Sequence, residues 1–146
     1  MIKKFIYITF LLFCANVLTA QKIKLLNGNV YLNNEVIMKY ERRNFNSELK
    51  LFSLDTNEEI ADFVEYRSRI HINGGFKKLY FTKQNFKVES TRLKSRGWKY
   101  TIKVLLEENV ISSNGKILPK NFEKFSNKYH ENLNEMIDVI QTPNCN

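Results

Sequence analysis

The sequence predicts an α+β fold: an antiparallel β-sheet built of hairpins, packed by a C-terminal pair of helices. Three observations predict it. Short alternating segments separated by turn residues recur about every 8–12 residues over about residues 22–90. No helical segment lies between them, although parallel strands would need such a crossover. Beyond residue 96 the apolar spacing changes from the period of a strand to that of a helix.

The first strands are predicted from alternation and from asparagine-rich turns. Lys22–Leu25 alternates polar and apolar residues, and Asn27-Gly28 is a strong signal for a two-residue hairpin turn. Val30–Leu32 and the turn Asn33-Asn34 come next. They lead into Val36–Tyr40, in which residues 36, 38 and 40 are expected on one face of the sheet.

The later strands follow the same pattern. Leu49 and Leu51 alternate with neighbouring residues, and the turn at 55–58 leads into Ile60–Tyr66. A short run around His71 ends at Asn73-Gly74-Gly75. The last predicted hairpin joins strands at 76–82 and 86–89.

Two helices are predicted after the sheet. The first covers about residues 97–110, because Trp98, Ile102, Leu105 and Leu106 form one apolar stripe at helical spacing. The second covers about residues 119–130, with Pro119 suited to its first position. Apolar residues at helical spacing continue to residue 140, so an extension of this helix to 140 stays open.

The first twenty residues have the pattern of a cleavable export signal. Lys3 and Lys4 precede the apolar stretch 5–13, and Leu18-Thr19-Ala20 places a small residue before Gln21. A retained membrane anchor and a lipoprotein signal at Cys14 are the weaker alternatives. We therefore expect a signal peptide at 1–20, a single domain at 21–140, a flexible tail at 141–146 and no transmembrane helix in the mature chain.

Composition favours an anionic partner in the cell envelope. The whole chain has a formal net charge of +8, and loss of two lysines with the signal leaves +6. In an exported protein this charge favours anionic polysaccharide or lipid, or another envelope protein, and nucleic acid is not expected. Cys145 is the one cysteine of the mature chain, so it cannot form an intramolecular disulfide. A frayed terminus is favoured for it, and pairing between chains stays open.

The sequence contains no recognisable catalytic or metal-binding motif. His71 and His130 are the only histidines, both interpreted as solvated, and no acid or cysteine stands at a ligand spacing from either. The serines lack a nucleophile-elbow pattern, and adjacent acids such as Glu58-Glu59 diverge on a strand. We predict no catalytic residues, no metal and no cofactor.

The most suggestive segment is the junction between the sheet and the first helix, which combines four basic residues with two aromatic ones. A helix N-terminus beside cations can hold an anion, and aromatic rings offer a stacking surface. The alternative is that Trp98 anchors the core and the charges only solvate a loop. The candidate ligand-binding residues are Arg92, Lys94, Arg96, Trp98 and Lys99.

The chain resembles small exported proteins of unknown function from Bacteroidetes-type bacteria. The matching features are the Lys-Lys-led signal ending before Gln21, the tyrosine- and phenylalanine-rich hairpins, and a loose pattern at 103–130 running from Lys-Val-Leu-Leu-Glu-Glu-Asn-Val-Ile to Lys-Tyr-His. The resemblance implies an envelope location and no activity. The chain shows no C-terminal β-domain of the type that directs such proteins to the cell surface, so the periplasm is favoured over the surface or the medium.

Three functional hypotheses remain, in descending order. The first is a non-enzymatic binding or interaction module of the envelope. The second is a structural or regulatory protein that dimerises through an edge strand or Cys145. The third is a hydrolase that uses carboxylates from separate strands, which would need two acids of different pKa in one concave pocket.

Overall fold

A computed structural model of the chain describes residues 21–67, 75–94 and 96–133. The expected signal segment, the run around His71, the region beyond residue 133 and Cys145 lie outside these residues. Seven strands occur in the described part, and each pairs antiparallel with the next in chain order. The strands are β1 (Ile23–Leu26), β2 (Asn29–Leu32), β3 (Glu35–Arg43), β4 (Glu48–Phe52), β5 (Glu59–Arg67), β6 (Gly75–Phe81) and β7 (Phe86–Ser90).

Two α-helices follow the sheet, and the predicted α+β class is confirmed. Helix α1 covers Trp98–Glu107. A single 3-10 turn at Pro119–Asn121 leads into helix α2, Phe122–Tyr129. His130 has an extended backbone (φ −74°, ψ 134°), so α2 ends at Tyr129 and does not continue as one helix toward residue 140.

Both helices pack on one face of the sheet, which we call the inner face. The cross-strand row Leu49, Phe63, Leu79 and Val88 lies on this face, and each of these side chains is buried. The predicted apolar stripe of α1 is buried in the same core, as are Phe122 and Phe125 of α2. Burial of these side chains supplies the main driving force for holding the helices on the sheet.

The opposite, outer face carries a row of charged and polar residues that cross the sheet from strand to strand. The backbone pairing sets Glu41 beside Lys50, Lys50 beside Asp62, Asp62 beside Tyr80 and Tyr80 beside Lys87. Opposite charges on neighbouring strands attract each other, so this row favours the observed register.

The prediction that residues 36, 38 and 40 share one face of the sheet is wrong at the start of β3. Val30 pairs with Met38, whereas the next residue, Tyr31, pairs with Val36, which leaves Ile37 as an extra residue in a β-bulge. The bulge turns Val36 to the face opposite Met38, so residues 36, 38 and 40 do not share one face. The turn at 112–116 packs onto this bulge, with Gly115 against the carbonyl group of Ile37.

The β7 edge of the sheet is covered by the chain that follows α2. The backbone N–H of Glu89 donates to Nδ1 of His130 (3.1 Å), and the N–H of Glu131 donates to the carbonyl oxygen of Glu89 (2.8 Å). His130 is half-buried in this contact, so its interpretation as a solvated side chain is wrong. The segment satisfies backbone groups that an open edge would leave to pair with another chain.

Within the described residues, neither helix has the length and apolar character needed to cross a bilayer.

Candidate functional site

The N-terminus of α1 lies beside the loop between β3 and β4, and Trp98 connects the two. Trp98 is 3% exposed, and its indole N–H donates to the carbonyl oxygen of Asn46 at 2.9 Å. A buried indole with its N–H bonded to the backbone acts as an anchor. Trp98 therefore has the core role that the alternative interpretation gave it, and it holds the start of α1 against the β3–β4 loop.

A buried lysine supports Trp98 from the inner face of the sheet. Lys77 on β6 is 0% exposed, and its ammonium group lies 4.5 Å from the centre of the Trp98 ring. The same group donates to the carbonyl oxygen of Arg96 and to Oγ1 of Thr101 (3.1 Å). Burial lowers the pKa of Lys77 to about 8. Lys77 thus fixes the first turn of α1 at the cost of a desolvated charge.

The structure separates the five candidate binding residues of the junction. Arg92 binds the end of α2, where its guanidinium group donates to the carbonyl oxygen of Lys128 at 2.9 Å. Lys94 is half-buried. Arg96 stacks on Tyr100, with 4.6 Å between its guanidinium carbon and the ring centre. Trp98 and Lys99 both line a hollow beside the β3–β4 loop.

That concave surface consists of two hollows around the N-terminal half of α1. The first, of about 640 Å³, lies between α1 and the β1 edge, and the second, of about 400 Å³, lies between α1 and the β3–β4 loop. Gly97 and Lys99 line both. We call the joined hollows the basic groove. Its lining residues are Gln21, Lys22, Ile23, Lys24, Leu25, Arg42, Asn46, Gly97, Trp98, Lys99, Tyr100 and Lys103.

The charge of the basic groove is entirely positive over the residues that the structure describes. Five of its lining residues are basic, and no aspartate or glutamate lines either hollow. Lys103 pairs with Glu107 at 2.9 Å on the exposed side of α1. Arg42 lies 5.3 Å from the centre of the Tyr40 ring, and Lys24 donates to the side chain of Asn34. Lys103 therefore shares its charge with an acid, and the groove offers Lys22, Lys24, Arg42 and Lys99 to a ligand with no acid in the described lining.

Sequence reasoning found the α1 side of this groove and missed the sheet side. Lys22, Lys24 and Arg42 lie far from the junction along the chain and reach it through the sheet and the β3–β4 loop. Arg42 pairs with Leu49, so it lies at the end of the inner face next to Trp98. No local pattern around residue 42 indicates this position.

The β3–β4 loop carries a second feature that the sequence did not indicate. Asn44, Phe45 and Asn46 all have left-handed backbone conformations, with φ values of 48°, 53° and 69°. Asparagine tolerates this conformation, whereas phenylalanine adopts it at a cost. Phe45 is also fully exposed, with a relative exposure of 107%.

The outer face contains a smaller hollow, of about 340 Å³, lined by Tyr66, Tyr80, Lys78, Lys87, Val64 and Asp62. Burial raises the pKa of Asp62, and Lys50, 3.7 Å away, acts against this shift. Asp62 is the one acid among the described residues that line this hollow. A hydrolase of the predicted kind would need a second carboxylate there.

The described residues contain no cluster of three or more histidine, cysteine, aspartate or glutamate side chains arranged to hold a metal ion.

No known protein family matches the chain, and neither a curated protein nor a solved structure is significantly similar to it.

Proposed function

We propose that the protein is an exported, non-enzymatic binding module that holds an anionic component of the cell envelope in the basic groove. One observation carries this proposal: the described lining of the groove contains five basic residues and no acid. Carboxylate or phosphate groups are the ligand chemistry that such a surface attracts. The export pattern of residues 1–20 and the resemblance to small exported proteins support an envelope location.

The groove combines two sources of attraction for an anion with one aromatic contact surface. Lys22, Lys99 and Arg42 line it from different parts of the chain, so an extended ligand can contact several cations at once. The N-terminus of α1 adds the positive end of a helix dipole, and Gly97 at the N-cap contributes no side chain to occupy that position. Tyr100 provides an aromatic surface on the same wall.

The first test is binding of a soluble polyanion, polygalacturonate, as a function of salt. The Debye length falls from about 30 Å at 0.01 M salt to about 3 Å at 1 M, so binding should be measurable at the lower value and lost at the higher one. Calorimetry or fluorescence anisotropy gives the dissociation constant at each salt concentration. A protein that does not bind at the lowest salt concentration contradicts the proposal.

The second test distinguishes binding in the basic groove from attraction by the net charge of the whole protein. The double variant Arg42→Gln, Lys99→Gln should weaken binding about tenfold or more, because both side chains line the groove. The matched control is Lys116→Gln, Lys120→Gln, which removes two exposed charges at the other end of α1. Equal losses in the two variants would show that binding depends on overall charge only.

The location is tested on the native protein. Mass spectrometry of the envelope fraction should find a chain that begins at Gln21, because cleavage is expected after Ala20. A chain with an intact Met1 in the cytosolic fraction would refute export.

A further inference from the structure

We propose that the anionic partner is a phospholipid membrane surface, and that Phe45 inserts into it while cations at the rim of the basic groove contact the headgroups. This inference rests on the proposed function, because it names the source of the anionic groups. It adds a residue outside the groove lining and a ligand with an apolar layer beneath its charged surface.

Phe45 departs from a rule that the rest of the described chain follows. All other described residues with positive φ are asparagine or glycine, which reach this backbone region easily. Phe45 combines an unfavourable backbone conformation with complete exposure of its ring. Neither property stabilises the folded chain, and residues with a strained backbone cluster at sites that contact a ligand or another surface.

The loop holds Phe45 in a fixed position. Ser47 donates from its backbone N–H and from its hydroxyl group to the carbonyl oxygen of Asn44, at 3.1 Å and 2.6 Å. Asn44 donates to the carboxylate of Glu48 at 2.5 Å, and the Trp98 indole holds the carbonyl group of Asn46. Bonds on both sides of Phe45 therefore fix the tip, which reduces the ordering needed for insertion.

Two cations lie near the tip on the side of the basic groove. Arg42 and Lys99 line the same hollow as Asn46, the residue after Phe45. Arg43 precedes the loop and forms two hydrogen bonds with Glu41, so its charge is partly compensated. A membrane surface presents anionic headgroups above an apolar interior, which matches a ring that projects beside cations. A soluble polysaccharide would use the cations and has no apolar layer for Phe45.

The test compares vesicles of phosphatidylglycerol and phosphatidylcholine with vesicles of phosphatidylcholine alone, using the chain as purified from cells, by sedimentation. Binding should require the anionic lipid. Phe45→Ser should lower the partition coefficient about tenfold, equivalent to about 1.4 kcal/mol. The matched control is Leu54→Ser, which removes an apolar side chain that is 42% exposed in the turn at the other end of β4.

A second variant reports insertion directly. In Phe45→Trp, the new indole should shift its emission to the blue and be quenched by brominated lipid when anionic vesicles are added. Trp98 is buried and serves as the unquenched reference in the wild-type chain. Vesicle binding that leaves the emission of the Phe45→Trp variant unchanged would overturn the insertion.

The outcomes separate this inference from the proposed function. If wild type and Phe45→Ser bind anionic vesicles equally, or if only polygalacturonate is bound, the insertion is refuted and the basic groove retains its proposed role. If Phe45→Ser loses vesicle binding but keeps polygalacturonate binding, the inference is supported. If neither probe binds at low salt, both proposals fail.

Discussion

At the scale of single residues, Phe45 shows how a side chain can oppose stability and so indicate a role outside the fold. Its φ of 53° is one that asparagine occupies at both neighbouring positions. A left-handed conformation costs a non-glycine residue about 1–2 kcal/mol, and asparagine bears less of that cost than phenylalanine. The ring is fully exposed, so the folded chain gains no burial energy from it.

Phe45→Asn should therefore stabilise the protein. We expect the free energy of unfolding to rise by about 0.5–1 kcal/mol, because the backbone strain is relieved and no packing is lost. Urea denaturation followed by the fluorescence of Trp98, the only tryptophan of the chain, measures this change. Leu54→Asn is the control and should change stability less, since Leu54 does not have a positive φ. A destabilised Phe45→Asn would mean that the ring packs within the protein.

Lys77 is the residue whose charge should make stability depend on pH. In the folded chain burial lowers its pKa from an ordinary value of 10.5 to about 8. The unfolded chain then binds the proton more tightly, so the contribution of Lys77 to stability is present above pH 10.5 and is lost as the pH falls through 8.

Lys77→Met removes this titration. Between pH 8 and 10.5 the free energy of unfolding of the wild type should rise by about 2 kcal/mol relative to the variant. Urea denaturation across this range provides both profiles of the free energy of unfolding against pH. Subtracting one profile from the other removes the contributions of the tyrosines and the other lysines, which both chains share. Lys78→Met makes the same chemical change on the outer face and should keep a wild-type profile. Parallel profiles for Lys77→Met and wild type would place the ammonium group in contact with water.

At the scale of elements, local signals predicted the fold and non-local contacts formed the site. The hairpins and helices could be predicted because alternation, asparagine-rich turns and the apolar stripe of α1 are all encoded within a few residues. The bulge at Ile37 could not be predicted, because it appears only when β2 and β3 pair. The basic groove also depends on tertiary structure, since Arg42 and Lys22 meet α1 only after the sheet has formed.

The contact between the bulge and the turn after α1 leaves no room for an added side chain. Gly115 has a φ of 78°, and a Cβ atom there would lie 2.0 Å from the carbonyl oxygen of Ile37. Gly115→Ala should therefore lower the free energy of unfolding by about 2–3 kcal/mol, because both strain and a backbone clash result. The measurement is urea denaturation.

Gly97→Ala is the matched control for this variant. Gly97 has a φ of −59°, and nothing lies within 4 Å of a Cβ atom built on it. The free energy of unfolding should change by less than about 1 kcal/mol, since glycine and alanine differ at this position only in their preference for a helix N-cap. Equal effects at the two glycines would show that the turn moves away from the bulge at little cost.

At the scale of the whole molecule, the two edges of the sheet differ in what lies against them. The β7 edge is covered by residues 130–133, where Thr91 also donates its hydroxyl group to the carboxylate of Glu131 at 2.9 Å. The β1 edge instead forms one wall of the larger hollow, with Lys22 at its start. Within the described residues no strand pairs with the outer side of β1. Charged residues at such an edge discourage pairing with another strand, so a lysine such as Lys22 also opposes self-association.

This difference predicts which truncation causes self-association. A chain that ends at Leu133 keeps the cover on β7 and should match the full chain in sedimentation equilibrium. A chain that ends at Tyr129 loses the backbone contacts to Glu89 and exposes that edge, so it should self-associate as its concentration rises. Both truncations lack Cys145, which excludes its thiol as the cause of the difference. If the chain ending at Leu133 also self-associates, protection of the edge depends on residues 134–146. If the chain ending at Tyr129 remains monomeric, β7 does not need its cover, and the contacts of residues 130–133 then serve only to hold the end of α2 against the sheet.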